Sequence, residues 1–442
     1  MTFINIKAYF FAFFYYIGIW GNHMIQEIKI RNFLSIREEI RLSFEATSDS
    51  FAEDCQVVAV NDHVRLLRFM VLYGYNAAGK SNILSALKFL RWFWFYKSAN
   101  PDDGTFVIPF KMDIHSRNKP SSFELIFFVD GVKYWYQLEL DVNQVFQERL
   151  YFYKSVQPTK LFERTLEGNQ SKIWFAPKVI KLSSTAKEQI SLNCLKNMSF
   201  FAAKTQVNVE IPPIDAVIGY FKRNIMQVVE PTTNLMSYAK NRGFENPALI
   251  PYLLEFLKNA DFNISDIRIE KNPYLAKDAE QLLKGKLIGE DFALDALNAL
   301  FSHTVELGDK RGMYHFDENG ESRGTLRTFG VESAIFEAMK KNCMLPIDEI
   351  ESSLHPKLLE TILFKYLETK SASQLLVTTH NDGLLDLTDD LLRKDSIVFV
   401  EKNKAACSSI YRLTDFKGLN RLSSIRSAYR NKRFGATQFG NT

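Results

Sequence analysis

Cysteine is scarce. There are four, Cys55, Cys194, Cys343 and Cys407, in 442 residues. They stand far apart, with no CxxC pair and no Cys/His cluster. That excludes a zinc-finger spacing and a disulfide framework and predicts a reducing cytoplasm. Charge of one sign is lacking too. The formal net charge is +4, so no uniform field marks the chain as a general nucleic-acid or membrane binder. No internal repeat, low-complexity linker or long heptad array occurs, which excludes solenoids and extended coiled coils. The balance of 46% hydrophobic and 24% charged residues excludes disorder as the main state. One apolar run stands out, Ala8 to Trp20 after Lys7. It is shorter than the ~20 residues needed to span a bilayer, and no small-residue cleavage site follows it. No stable membrane insertion is expected. Met24 opens directly onto a strand pattern, Ile25 to Ile30. Residues 1–23 therefore read as an upstream extension, with an interfacial anchor as the alternative.

What is there begins at Gly74-Tyr75-Asn76-Ala77-Ala78-Gly79-Lys80-Ser81, a complete GxxxxGK[ST] phosphate loop. A β-like run, Leu66 to Tyr73, leads in. A helical pattern, Asn82 to Phe95, leads out, with Ile83, Leu84, Leu87, Leu90 and Trp94 on one face. Strand, loop and helix together turn the bare pattern into a nucleotide site. Gly74 and Gly79 let backbone N–H groups, Asn76 among them, close around phosphate oxygens. The helix N-terminus adds its positive dipole end. Lys80 is expected on the β/γ-phosphates and the Ser81 hydroxyl on Mg²⁺. The aromatic run Trp92 to Tyr96 reads as a packed helix face rather than a base-stacking platform.

From about residue 105 to 176 the pattern is β. Ser122–Val129 and Val132–Leu140 flank Asp130-Gly131, a strong hairpin signal, and a second hairpin turns at Gly168-Asn169. Residues 183–300 read as mainly helical, with Pro247–Leu257 and Glu290–Phe301 carrying apolar residues at helical spacing. Short strands are expected near Ile264–Glu270 and around Gly308–Gly312. The last third is α/β again: strand Asn342–Ile347, helix His355–Leu367, strand Gln374–Thr379, and a pair at Ser396–Val400 and Ser408–Leu413. The expected divisions are an N-terminal lobe with a β arm, 24–182, a mainly helical insertion, 183–302, and a C-terminal lobe, 303–442.

Three further elements carry chemistry. Asp348 and Glu349 end an apolar strand. Asp348 is placed to hold Mg²⁺ and Glu349 to orient or deprotonate an attacking water. Pro346 inside that strand is unexpected, because proline cannot donate to a ladder; a bend or an early end to pairing is predicted. His380 ends the next strand, 31 residues after Glu349, at the same carboxyl edge of a parallel sheet. Ser322-Arg323-Gly324 opens a helical run reaching Lys341. Either Ser322 simply caps that helix, or its hydroxyl, the local N–H groups and the dipole bind an anion together.

Phosphate loop, Ser-x-Gly helix, Asp-Glu and His, in that order, resemble the ABC-type ATPases, and within them the RecF/SMC/OLD branch. More narrowly the chain is similar to stand-alone AAA15-type, AbiL-like, ATP-binding proteins. The carrying segments are Ile28–Ser35, Gly74–Ser81, Ser322–Arg327, Asp348–Pro356, Thr379–Asn381 and Arg433–Ala436. The resemblance implies an α/β, ABC-type P-loop ATPase head with an antiparallel β arm and a largely helical insertion. It implies a head-to-tail homodimer with two ATP molecules at the interface. Lys80, Ser81, Asp348 and Glu349 of one subunit would face Ser322 and Gly324 of the other, with His380 near the γ-phosphate and Glu351–Leu354 as a loop crossing between sites. No glutamine-loop residue can be assigned.

The expected function is an ATP-binding and ATP-hydrolysing switch with Mg²⁺, controlling a separately encoded nuclease or toxin in bacterial phage defence. The alternative is a RecF-like DNA-repair clamp, in which Arg421, Arg426, Arg430, Lys432 and Arg433 touch phosphates. Val398–Glu401 is similar to the start of a Toprim nuclease domain, but no DxD metal pair follows it. No nuclease activity is therefore expected from this chain alone.

Overall fold

The structure, a computed structural model, describes residues 23–260, 262–271, 297–307 and 310–435. The apolar run at Ala8–Trp20, residues 290–296 of the expected helix, and Ala436 lie outside them. Strands β1 (Met24–Arg31) and β2 (Ile40–Ser43) pair antiparallel. A small hairpin follows, β3 (Val57–Asn61) and β4 (Val64–Leu67), and then β5 (Phe69–Tyr73). The run expected as one strand, Leu66–Tyr73, is divided at Arg68. Its buried guanidinium donates to the Cys55 carbonyl and, at 2.6 Å, to the Ser371 hydroxyl. A buried cation needs such partners, and meeting them moves the chain from one sheet to another.

The phosphate loop joins β5 to helix α1 (Lys80–Phe93). Phe93 and Trp94 at its end are fully buried, as expected of a packed face, but Trp92 is 40% exposed. Next come β6 (Ser121–Val129), β7 (Val132–Leu140), β8 (Val145–Tyr153), β9 (Pro158–Glu167) and β10 (Gln170–Phe175). Asp130 and Gly131 both take positive φ, 50° and 76°, the twist a two-residue hairpin turn needs. With β1 and β2 these strands form a seven-stranded antiparallel sheet in the order β10-β9-β8-β7-β6-β1-β2.

Helices α2 (Ser184–Asn193), α3 (Phe200–Lys204), α4 (Pro212–Arg223), α5 (Leu235–Glu245) and α6 (Leu249–Asn259) follow. A three-stranded antiparallel sheet then forms from β11 (Asp266–Lys271), β12 (Leu297–Leu307) and β13 (Lys310–Phe316). Here the expected helix over Glu290–Phe301 is corrected, because 297–301 is strand. Leu297, Ala299 and Phe301 are buried while Asn298 and Leu300 between them are half-buried, a two-residue period. Leu297 and Phe301 are four apart and fit either period; pairing on both sides of β12 decides for the strand.

The remaining elements are α7 (Arg323–Lys341), β14 (Met344–Ile347), α8 (Pro356–Glu368), β15 (Gln374–Thr379), β16 (Ile397–Lys402), β17 (Ser408–Arg412) and α9 (Ile425–Arg430). The central sheet runs β14-β15-β5-β16-β17, the first four parallel and β17 antiparallel. Strands β14, β15 and β5 and the first four residues of β16 are buried on both faces. Met70, Leu72, Leu376, Val398 and Val400 pack toward α1 and the antiparallel sheet. Phe69, Val71, Val377, Ile397 and Phe399 pack toward α5 to α8. Each such side chain stabilises the fold by about 1.5–3 kcal/mol, and the alternation locks the register.

Pro346 does not end the pairing of β14 with β15. Leu345 and Ile347 keep their β15 partners. Pro346 faces the other side, where its carbonyl accepts from the Val229 N–H at 2.9 Å. Among the described residues that side is met by isolated bridges at Ile225 and Val229, so the missing donor falls at an irregular edge that tolerates it.

Candidate nucleotide site

The loop after β5 is set by two glycines. A Cβ at Gly74 would collide with the Val400 carbonyl oxygen. One at Gly79, where φ is 108°, would collide with the Ser408 and Ser35 hydroxyls. Those hydroxyls support the loop from behind. They lie 2.7 Å apart, Ser408 Oγ donates to the Ala78 carbonyl at 2.6 Å, and Asn82 Nδ2 donates to Ser35 Oγ at 2.6 Å. Asn76 is exposed on the outer turn.

Lys80 is buried. Its Nζ donates to the carbonyls of Gly74 at 2.7 Å and Tyr75 at 3.2 Å, and lies 3.2 Å from His380 Nδ1. Burial lowers its pKa to about 8, opposed by the charges of Glu351, Asp348 and Glu349. This is a cation held ready for an anion.

β14 delivers the two acids. Ser81 Oγ donates to Asp348 Oδ1 at 3.0 Å, and Thr378 Oγ1 donates to the same oxygen at 2.6 Å. Thr378 Oγ1 also accepts the Glu349 main-chain N–H at 2.8 Å. Glu349 takes a left-handed conformation, φ 47°, which turns it out of the strand line and stores strain at the site. Its Oε1 lies 3.5 Å from His380 Nε2. The His380 main-chain N–H donates to Glu351 Oε1 at 2.5 Å, while Glu351 Oε2 is buried without a partner.

Lys80, Ser81, Asp348, Glu349 and His380 thus meet at one sheet edge. Ser322 and Gly324 stand apart from them. Ser322 caps α7, its Oγ accepting the Thr325 N–H at 3.0 Å. A Cβ on Gly324 would lie 3.4 Å from the Ser353 carbonyl oxygen. Among the described residues no hydrogen bond or ion pair joins Ser322 or Gly324 to the Lys80 cluster. The C-terminal arginines are also placed. Arg426 pairs with Asp382 and Asp386, and Arg430 with Asp382, on the loop just after His380. Of the five basic residues expected on phosphates, these two are engaged within the chain. Val398–Glu401 lies in β16, inside the central sheet.

Sequence reasoning missed Thr378, Ser408 and the inward role of Glu351. For Thr378 a signal existed: it sits two residues before His380, the offset that puts side chains on one side of an extended chain. For Ser408 there was none, since it meets the loop across more than 300 residues of chain.

The donor set suits a magnesium-bound triphosphate. A hydroxyl and a carboxylate supply hard oxygens, and the cation sits at the helix start beside them.

Three solved structures illustrate what the chain is similar to. The SMC head domain from Thermotoga maritima aligns at 12% identity and a TM-score of 0.39, over 88% of this chain and 98% of that one. An SMC head bound to the C-winged helix domain of ScpA aligns at 11% and 0.43, over 92% and 99%. An Smc head with an extended coiled coil, bound to the C-terminal domain of ScpA derived from Pyrococcus furiosus, aligns at 13% and 0.40, over 93% and 99%. No curated protein matches significantly. The family model described as "AAA domain, putative AbiEii toxin, Type IV TA system" matches residues 69–178 and 239–386. These segments hold β5, the phosphate loop, α7, both acids and His380, and they span more than half of the chain, which therefore belongs to this AAA-domain family.

Proposed function

We propose that the chain is an ATP-hydrolysing switch of the ABC type, related to the RecF/SMC/OLD branch and within it to the AAA15-type proteins. The observation that carries this reading is the meeting of Lys80, Ser81, Asp348, Glu349 and His380, brought from the loops after β5, β14 and β15 to one edge. Lys80 and the loop N–H groups bind the phosphates. Ser81 and Asp348 would hold Mg²⁺, which when bound neutralises phosphate oxygens. Glu349 takes a proton from, or orients, the attacking water, and His380 fixes the Glu349 carboxylate and the γ-phosphate.

Ser322 and Gly324 stand outside this cluster, so a second copy supplies them in a head-to-tail dimer around two ATP molecules. Charge-assisted hydrogen bonds contribute about 1.5–3 kcal/mol each, and several per phosphate bias closure. ATP closes the dimer and hydrolysis opens it. The family's toxin–antitoxin description supports an effector, a separately encoded nuclease or toxin, held or released by nucleotide state in phage defence in the cytoplasm.

The test is Glu349→Gln. Turnover falls ~10²–10⁴-fold while ATP binding persists. Unchanged hydrolysis contradicts the assignment.

A further inference from the structure

A second cleft lies at the far end of α1. The helix rises about 1.5 Å per residue, so Trp92 stands roughly 16 Å along it from Ser81 and the phosphate loop. The cleft has a volume of about 540 Å³ and is lined by Arg91, Trp92, Phe95, Tyr96, Lys97, Phe221 and Lys222. Four of these are aromatic, three are cationic and none is acidic. Among the described residues Arg91, Lys97 and Lys222 have no carboxylate partner. Arg91 donates only to the Ile225 carbonyl, and Lys222 lies over the Phe95 ring at 5.0 Å.

Phe221 is fully buried at the base of the cleft, Phe95 and Tyr96 are half-buried, and Trp92 is exposed. Trp92 stacks on Tyr96 with ring centroids 4.3 Å apart, and Phe106 stands edge-on to both, at 5.4 and 5.7 Å. Phe106 is 58% exposed and has a φ of 62°. A bulky residue in the left-handed region is strained, and here the strain leaves an apolar ring in water. The ring is held by its edge contacts with Trp92 and Tyr96, against the backbone preference of its own residue.

We propose that this cleft, together with the Phe106 ring that abuts Trp92 and Tyr96 beside it, binds single-stranded nucleic acid, with bases stacked on these three rings and phosphates met by Arg91, Lys97 and Lys222. Aromatic faces accept any base, and dispersed cations track a flexible backbone. An acidic apolar protein segment would meet the same cations, but it does not call for flat rings presented face and edge. A free nucleotide shares the chemistry of one strand unit. The cleft holds no glycine loop or helix N-terminus to grip a single phosphate group, and its cations are spread over two helix ends, so the strand is favoured.

The experiment uses the full chain and a fluorescein-labelled oligothymidylate of about 20 nucleotides, read by anisotropy over a salt series. Unlabelled duplex of the same length and thymidine monophosphate serve as competitors. The parent binds the strand, and affinity falls with salt. Lys97→Glu with Lys222→Glu weakens binding at least tenfold and flattens the log K against log salt slope by about 1.4, two phosphate contacts at ~0.7 each. Trp92→Ala and Phe106→Ala each weaken binding about tenfold with little change of slope. Lys80→Ala binds the strand like the parent, which separates this cleft from the phosphate loop. Far-UV circular dichroism and melting verify that each variant is folded. No binding by the parent, parent-like binding by the folded cleft variants, or competition by duplex or thymidine monophosphate at strand-like concentrations would each overturn the proposal.

Discussion

Thr378 binds both halves of the acidic pair: its hydroxyl donates to Asp348 Oδ1 at 2.6 Å and accepts the Glu349 N–H at 2.8 Å. One side chain on β15 therefore fixes the carboxylate proposed for metal binding and the backbone of the proposed base. Thr378→Val keeps the shape and removes both bonds. A hydrogen bond to a charged group is worth about 1.5–3 kcal/mol, so turnover falls roughly 10–100-fold. Thr378→Ser stays near the parent. Steady-state ATPase rates of the two variants, set beside nucleotide affinities, check this; equal rates for valine and serine contradict it.

Lys80 makes nucleotide binding pH-dependent. Burial holds its pKa at about 8 in the free chain, and bound phosphate charge raises it. Binding therefore takes up a proton above pH 8. Affinity is level below about pH 8 and falls, up to ~10-fold per pH unit, as pH rises beyond it. In the free chain the same shift acts with the opposite sense. The unfolded chain binds more protons between about pH 8 and the ordinary lysine range, so stability from this group rises with pH there. Calorimetry at pH 8.5 in buffers of different ionisation enthalpy reads the proton uptake directly.

Glu332 on α7 is 1% exposed. Tyr252 donates to its Oε2 at 2.8 Å, and its Oε1 has no partner. Burial raises its pKa to about 7. The folded chain thus holds an extra proton between the ordinary carboxylate range and about pH 7, and stability declines as pH rises through that window. Glu332→Gln keeps an acceptor for Tyr252 without the charge. It gains about 1–3 kcal/mol over the parent at pH 8 and nothing at pH 5. Urea unfolding at the two pH values checks the difference.

The site's chemistry was legible wherever it lay in short, contiguous patterns. Gly74–Ser81, Asp348-Glu349 and His380 announce themselves because phosphate binding and strand ends demand particular residues at fixed offsets. The hairpin at Asp130-Gly131 was legible for the same reason. Long-range contacts were not. Ser408 reaches Ala78, and Arg68 reaches Ser371, only after the chain has folded. Leu297 and Phe301 satisfied two periods at once, and only pairing with β11 and β13 selected the strand. The packed-face expectation failed at Trp92 because that residue falls on the same side of α1 as the exposed Ser81 and Lys88, away from the buried Leu87, Leu90, Phe93 and Trp94.

Light scattering on the Glu349→Gln chain, with and without saturating ATP and Mg²⁺, tests the central claim most directly. The account predicts a doubling of mass with ATP that Ser322→Arg abolishes without loss of ATP binding to Lys80. A chain that binds ATP yet keeps one mass in every condition, or a dimer indifferent to both nucleotide and Ser322, would contradict it.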